Sequence, residues 1–196
     1  GYWRWMIDAF FTSTLLVALA EIGDKTMLLA IILATRFRAP MPIIAGIFAA
    51  TIVNHAIAAL VGQQVAGLLD SEWFRYAIAI GFLAMAAWTL VPDTMDEEEG
   101  QVKQRGGVFF TTLVAFFFVE MGDKTQIATI ALGARFDDVL WVAAGTTLGM
   151  MIANIPAVYL GEALVKRVSM NVVRMVAASM FLILGLWQLA EIWGYW

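Results

Sequence analysis

The sequence predicts an all-α integral membrane protein of six transmembrane helices, arranged as a 3+3 inverted-topology repeat. Three observations carry that expectation: an apolar excess that no soluble core requires, six apolar runs of bilayer length, and a register at which the chain matches itself. The 196 residues are 62% hydrophobic and 14% charged, whereas a soluble domain is nearer half apolar and a quarter charged. A chain of this size leaves most residues near a surface, so the excess must face lipid. Mean hydropathy is +0.81.

Apolar runs bounded by charge, Pro or Gly fall at 8–34, 41–67, 74–91, 108–134, 139–165 and 172–193. Each is near or above the roughly 20 residues that span a bilayer, and the longer ones are expected to tilt or break. Trp73, Trp88, Trp141, Trp187 and Trp193 lie at or near run ends, where an aromatic belt belongs. Pro156 interrupts the fifth run and marks an expected kink.

An ungapped shift of 99 residues carries Glu21-Ile-Gly-Asp-Lys-Thr26 onto Glu120-Met-Gly-Asp-Lys-Thr125. The same shift pairs Phe10, Phe11 and Thr12 with Phe109, Phe110 and Thr111, Arg36-Phe37 with Arg135-Phe136, and Gly46 with Gly145. It also pairs Gly62 with Gly161, Arg75 with Arg174, and Trp88 with Trp187. The halves are duplicates. The organisation is therefore a first repeat at 8–92, an acidic linker at 93–107 and a second repeat at 108–194. Three spans per half, an odd number, invert the second half and place a substrate site near the midplane where the halves meet.

Lys and Arg orient the chain. One side carries Arg36, Arg38, Lys103, Arg105, Lys166, Arg167 and Arg174, the other only Arg4, Arg75 and Arg135. The linker is expected in the cytoplasm and both termini outside. The run Asp96 to Glu99 within the linker reads as a solvated loop. No cleavable signal stands out. Residues Gly1 to Trp5 precede Met6, a candidate native start, and read either as added residues or as an aromatic anchor.

Composition excludes several functions. There is no cysteine, which rules out disulfides and thiolate metal sites. A net charge of −4 gives no basic footprint for nucleic acid. With His55 the only histidine, and no Ser or Cys paired with a base in a recognisable motif, no enzyme is expected and no resident cofactor is called for.

The chemistry lies in charges inside the membrane. Glu21, Asp24 and Lys25 sit near the middle of the first run, and Glu120, Asp123 and Lys124 near the middle of the fourth. Six such charges would cost about 15–20 kcal/mol if uncompensated, more than a typical domain's stability. Continuous helices would put each trio on one face, turned inward. Gly23 and Gly122 permit either close helix approach or a local break that frees backbone carbonyls. Four converging carboxylates make a hard oxygen site suited to Ca²⁺ or Mn²⁺. Crowded acids can also take protons when a metal leaves, so one set of groups serves either cargo. With the two lysines offsetting two acids, the surplus matches one divalent cation or two protons. In the blander alternative, Glu21–Lys25 and Glu120–Lys124 are buried i,i+4 salt bridges that join helices.

Other polar residues are candidates for support. Thr26, Thr125 and Gln126 extend the motif face, with Met27 in the first half where the second has Gln126. A methionine ligand would favour manganese over calcium, though packing is its commoner use. His55 and Asn154 are register-equivalent and Asn54 adjoins His55; they add ligands, hydrogen-bond the acids or link helices.

The doubled E-x-G-D-K-[TS], on the first and fourth spans of two three-helix halves, resembles the signature of a calcium/manganese cation–proton exchanger family. Its members occupy Golgi, chloroplast and bacterial inner membranes. The resemblance implies that Glu21, Asp24, Glu120 and Asp123 bind the cation and that Lys25, Thr26, Lys124 and Thr125 complete the motifs. The lack of a long N-terminal extension looks like a bacterial member, for which the resemblance suggests manganese efflux from the inner membrane. The expected partners are the lipid bilayer, divalent cations and protons, with a homodimer left open. Two other classes fit a polar midplane: a passive cation channel, which the lysines disfavour, and an exporter of small solutes such as amino acids.

Overall fold

The computed structural model describes residues 1–68, 71–95, 101–104 and 106–195. Among them the regular structure is helical: α1 Tyr2–Glu21, α2 Lys25–Phe37, α3 Pro40–Leu68, α4 Glu72–Thr89, α5 Val108–Glu120, α6 Lys124–Phe136, α7 Val139–Leu160, α8 Glu162–Arg167 and α9 Met170–Ile192. The acidic run at 96–99 and Arg105 lie outside the described residues. Three helices are long and apolar enough to cross a membrane: α3, α7 and α9; α5 is a shorter apolar helix. Large apolar side chains such as Phe11, Phe48, Phe118, Ile152 and Ile183 cover the exterior, which only lipid or a partner accommodates.

The first and fourth runs are not continuous helices. Each breaks at its motif, into α1 and α2 and into α5 and α6. Ile22 has φ −62° and ψ 119°, Gly23 has φ +82°, and the Asp24 N–H donates to the Glu21 carbonyl at 2.9 Å. Those are the angles of a type II β-turn, which needs a positive φ at its third residue and so favours glycine. The second motif repeats the turn, with Met121 at φ −62° and ψ 118°, Gly122 at +75° and Asp123 N–H to Glu120 O at 3.1 Å. The face that continuous helices would present is thus corrected: Glu ends one helix and Asp caps the next.

Packing between the halves is reciprocal. Helix α1 packs along α7 while its counterpart α5 packs along α3, and α4 packs along α9. Gly46 lies so close to α5 that a Cβ there would stand 2.8 Å from the Phe109 carbonyl. Its register mate Gly145 meets α1 the same way, 2.6 Å from the Phe10 carbonyl. Small residues let backbones approach this closely where helices have little hydrophobic drive to associate. The Gly62–Gly161 pair diverges. Gly62 admits the α6 backbone inside an unbroken α3, whereas Gly161, at φ +57°, ends α7. Helix α7 runs through Pro156 and stops only there.

Side-chain bonds sort the two ends of the bundle. At one end Trp5 donates to the Phe136 carbonyl (2.8 Å), Arg135 makes a bidentate pair with Glu191 (2.9 and 3.0 Å), and Trp193 donates to Tyr76 (2.9 Å). At the other, Arg36 donates to the Val102 carbonyl of the linker. Both termini therefore share the end opposite the linker.

Candidate cation-binding site

The two turns meet in the centre of the bundle. Glu21 and Glu120 are fully buried, and Asp24 and Asp123 are each 3% exposed. One carboxylate oxygen from each of Glu21, Asp24 and Asp123 lies within 4.8 Å of the others. Glu120 stands beside this group rather than within it, its Oε1 accepting from Thr51 at 2.8 Å. Glu21 Oε1 accepts from Thr26 and, at 3.3 Å, from Asn154. The second oxygens of Glu21, Asp24 and Glu120 have no hydrogen-bond partner in the protein. Buried carboxylate oxygens left this way call for a cation or a proton.

Local sequence explains the positions. Asp24 and Asp123 stand at the starts of α2 and α6, where each Oδ1 accepts from the following lysine's N–H, at 3.0 and 2.7 Å. Acidic residues are favoured at such helix starts. Breaking each helix also leaves carbonyls of its last turn without helical donors, and the turns use the Glu21 and Glu120 carbonyls as acceptors. The grouped carboxylate oxygens suit a hard divalent cation.

A family model described as "Divalent cation/proton antiporter GDT1" matches residues 9–97 and 108–195. The chain belongs to the GDT1 family. It is 49% identical, over 87% of its length and 84% of the relative's, to a Vibrio cholerae protein named "Putative manganese exporter". It is 30% identical to the GDT1-like protein sll0615 of Synechocystis, over 90% of this chain and 94% of that one. With GDT1-like protein 5 of Arabidopsis thaliana the identity is 26%, over 94% and 96% of the two chains. No solved structure matches the chain significantly.

Within this GDT1 family member the supporting residues divide. Thr125 donates to Asp123 (3.3 Å), and Asn154 serves Glu21, as noted. His55 does not reach the acids in any contact seen; its Nδ1 pairs with the Thr129 hydroxyl at 3.4 Å, joining α3 to α6. Asn54 donates to the sulfur of Met121 at 3.7 Å. Gln126 and Met27 do one job in the two halves. Gln126 Oε1 accepts from the Gly122 N–H (2.5 Å) and Met27 Sδ accepts from the Gly23 N–H (3.3 Å). Met27 is also fully buried in an apolar cluster, so its sulfur closes the turn.

Lys124 is placed differently from the i,i+4 salt-bridge alternative. Lys124 Nζ donates to the Val91 carbonyl at 2.8 Å and lies 5.8 Å from the Trp88 ring centre. Trp88, near the end of α4, is exposed and lies beside this lysine.

Sequence reasoning missed Asp93. It follows α4, and its Oδ2 accepts from the Lys25 backbone N–H at 3.1 Å. Burial alone would raise its pKa. The neighbouring Asp24 carboxyl, the bond from the Lys25 backbone and the charges of Lys124 and Lys25 outweigh burial and hold it below the usual carboxylate value. The repeat conceals this residue, because the 99-residue shift assigns Ile192 to its position.

Proposed function

We propose that the chain exports Mn²⁺ in exchange for protons across a bacterial inner membrane, binding the cation between its two halves. The observation that carries this reading is the group of three buried carboxylates drawn from both halves, Glu21 and Asp24 from one and Asp123 from the other. A site split between two halves can be opened to either side by moving one half against the other. The unpartnered oxygens of Glu21, Asp24 and Glu120 support exchange, since the same atoms accept metal or protons. Glu120 acts as a neighbouring proton acceptor that helps drive the metal off.

The membrane arrangement proposed is six crossings in two inverted halves, with α1–α2 and α5–α6 as the broken ones. The linker is cytoplasmic and both termini lie outside, as the Lys and Arg distribution favours. Manganese is preferred over calcium in this reading because the Vibrio cholerae relative carries that substrate in its name. The test is transport into proteoliposomes with Mn²⁺, Ca²⁺ and Mg²⁺ compared while internal pH is recorded. Saturable Mn²⁺ flux with opposite proton movement is expected, and it should be lost in Glu21→Gln. Flux without proton movement, or wild-type flux in that variant, would overturn the proposal.

A further inference from the structure

The transport reading leaves Asp93 without a role, yet its segment touches both half-sites. Asp93 accepts from the backbone of Lys25, and two residues earlier Val91 accepts from the side chain of Lys124. Lys25 and Lys124 are register equivalents, so one short stretch after α4 ties the two motifs together. Asp93 shares a pocket lining with Asp24, whose Oδ2 is buried and without a protein partner. Val91, Asp93, Thr89 and Arg174 line one pocket together with Asp24 and Lys124.

The closure is one-sided. The positions that the 99-residue shift assigns to Val91 and Asp93 are Ala190 and Ile192, both inside α9. Among the described residues, the opposite end of the bundle has no such strap over the motifs. The strap is also a non-helical element at the site. It has no regular structure from Pro92 to Met95, so withdrawing Val91–Asp93 breaks the two hydrogen bonds to the lysines, whereas moving a helix would break the close glycine packing between halves.

We propose that Val91–Asp93 is the linker-side gate of the transporter, held shut by its bonds to both motif lysines. Asp93 is then the carboxylate that a cation passes between the linker face and Asp24. A negative group at that point has a physical use. It lowers the electrostatic barrier to a divalent cation entering between Lys124 and Arg174. This inference rests on the transport reading, and its test reads accessibility rather than flux.

The chain has no cysteine, so a single introduced thiol reports alone. Thr89→Cys places it in the pocket lining, where the native residue is 4% exposed. A membrane-impermeant maleimide applied from the linker face should label this variant slowly. With Asp93→Ala added, labelling from that face should accelerate roughly tenfold, the shift expected from losing one charge-assisted hydrogen bond in a two-state element. Labelling from the opposite face should not change. An unchanged rate, or equal acceleration from both faces, would overturn the gate. Asp93→Asn, nearest in size, carries the same test if the alanine variant is not recovered folded. Because labelling needs no metal, failure of Mn²⁺/H⁺ exchange in the wild type would sink the transport reading separately.

Discussion

Asn154 donates its side-chain amide to Glu21 across 3.3 Å, tying the long helix of the second half to the motif of the first. The mirror-image bond is absent: His55, its register mate, pairs with Thr129, and Glu120 takes its bond from Thr51 instead. Two halves with matching motifs thus build two unlike half-sites.

That asymmetry predicts unequal mutants. Asn154→Ala should weaken Mn²⁺ binding by about ten- to a hundredfold, the usual effect of removing a group that orients a metal ligand. Thr51→Val should weaken it less, because Glu120 lies outside the three-oxygen group. Calorimetric titration of the purified protein with Mn²⁺ checks both, and equal losses would make Glu120 a full member of the site.

The carboxylates themselves should rank in the same way. Glu21→Gln, Asp24→Asn and Asp123→Asn are expected to abolish measurable Mn²⁺ binding, while Glu120→Gln retains binding and loses coupled proton movement. Binding isotherms paired with internal-pH recordings separate the two losses. Retained binding in Asp24→Asn would contradict the ranking.

Metal and protons compete for the same oxygens, so Mn²⁺ affinity should fall as pH falls. Binding should release about one to two protons per metal ion. Titration in buffers of different ionisation enthalpy measures the number directly. A pH-independent affinity would argue against shared carboxylates.

Glycine substitutions distinguish contact from conformation. Gly46→Ala and Gly145→Ala place a methyl 2.8 Å or closer to a carbonyl of the other half and should each cost about 1–3 kcal/mol by overpacking. Gly122→Ala meets no atom within 4 Å, yet its φ of +75° should cost about 1–2 kcal/mol. Gly81→Ala, with open space and a helical backbone, should be neutral or stabilising by about 0.5–1 kcal/mol. Thermal unfolding in detergent ranks the four. A destabilised Gly81→Ala would show that the exterior of α4 is covered.

Much of the molecule was legible in its sequence for physical reasons. Apolar excess is a bulk property, so lipid exposure follows from composition without coordinates. Duplication survives as register, and the 99-residue shift identified Gly46 and Gly145 as equivalent before their contacts were known. Charges too costly to strand in lipid singled out Glu21, Asp24, Glu120 and Asp123.

Tertiary structure decided what those residues do together. A glycine inside an apolar run is compatible with a helix or a turn, and only the chain's path shows that Gly23 and Gly122 take positive φ and split their helices. Which oxygens converge depends on contacts between residues a hundred positions apart, so the sequence could nominate four acids but not group three of them. Asp93 lay hidden for a related reason. Its importance comes from where α4 ends in space, and no local pattern or repeat register records that.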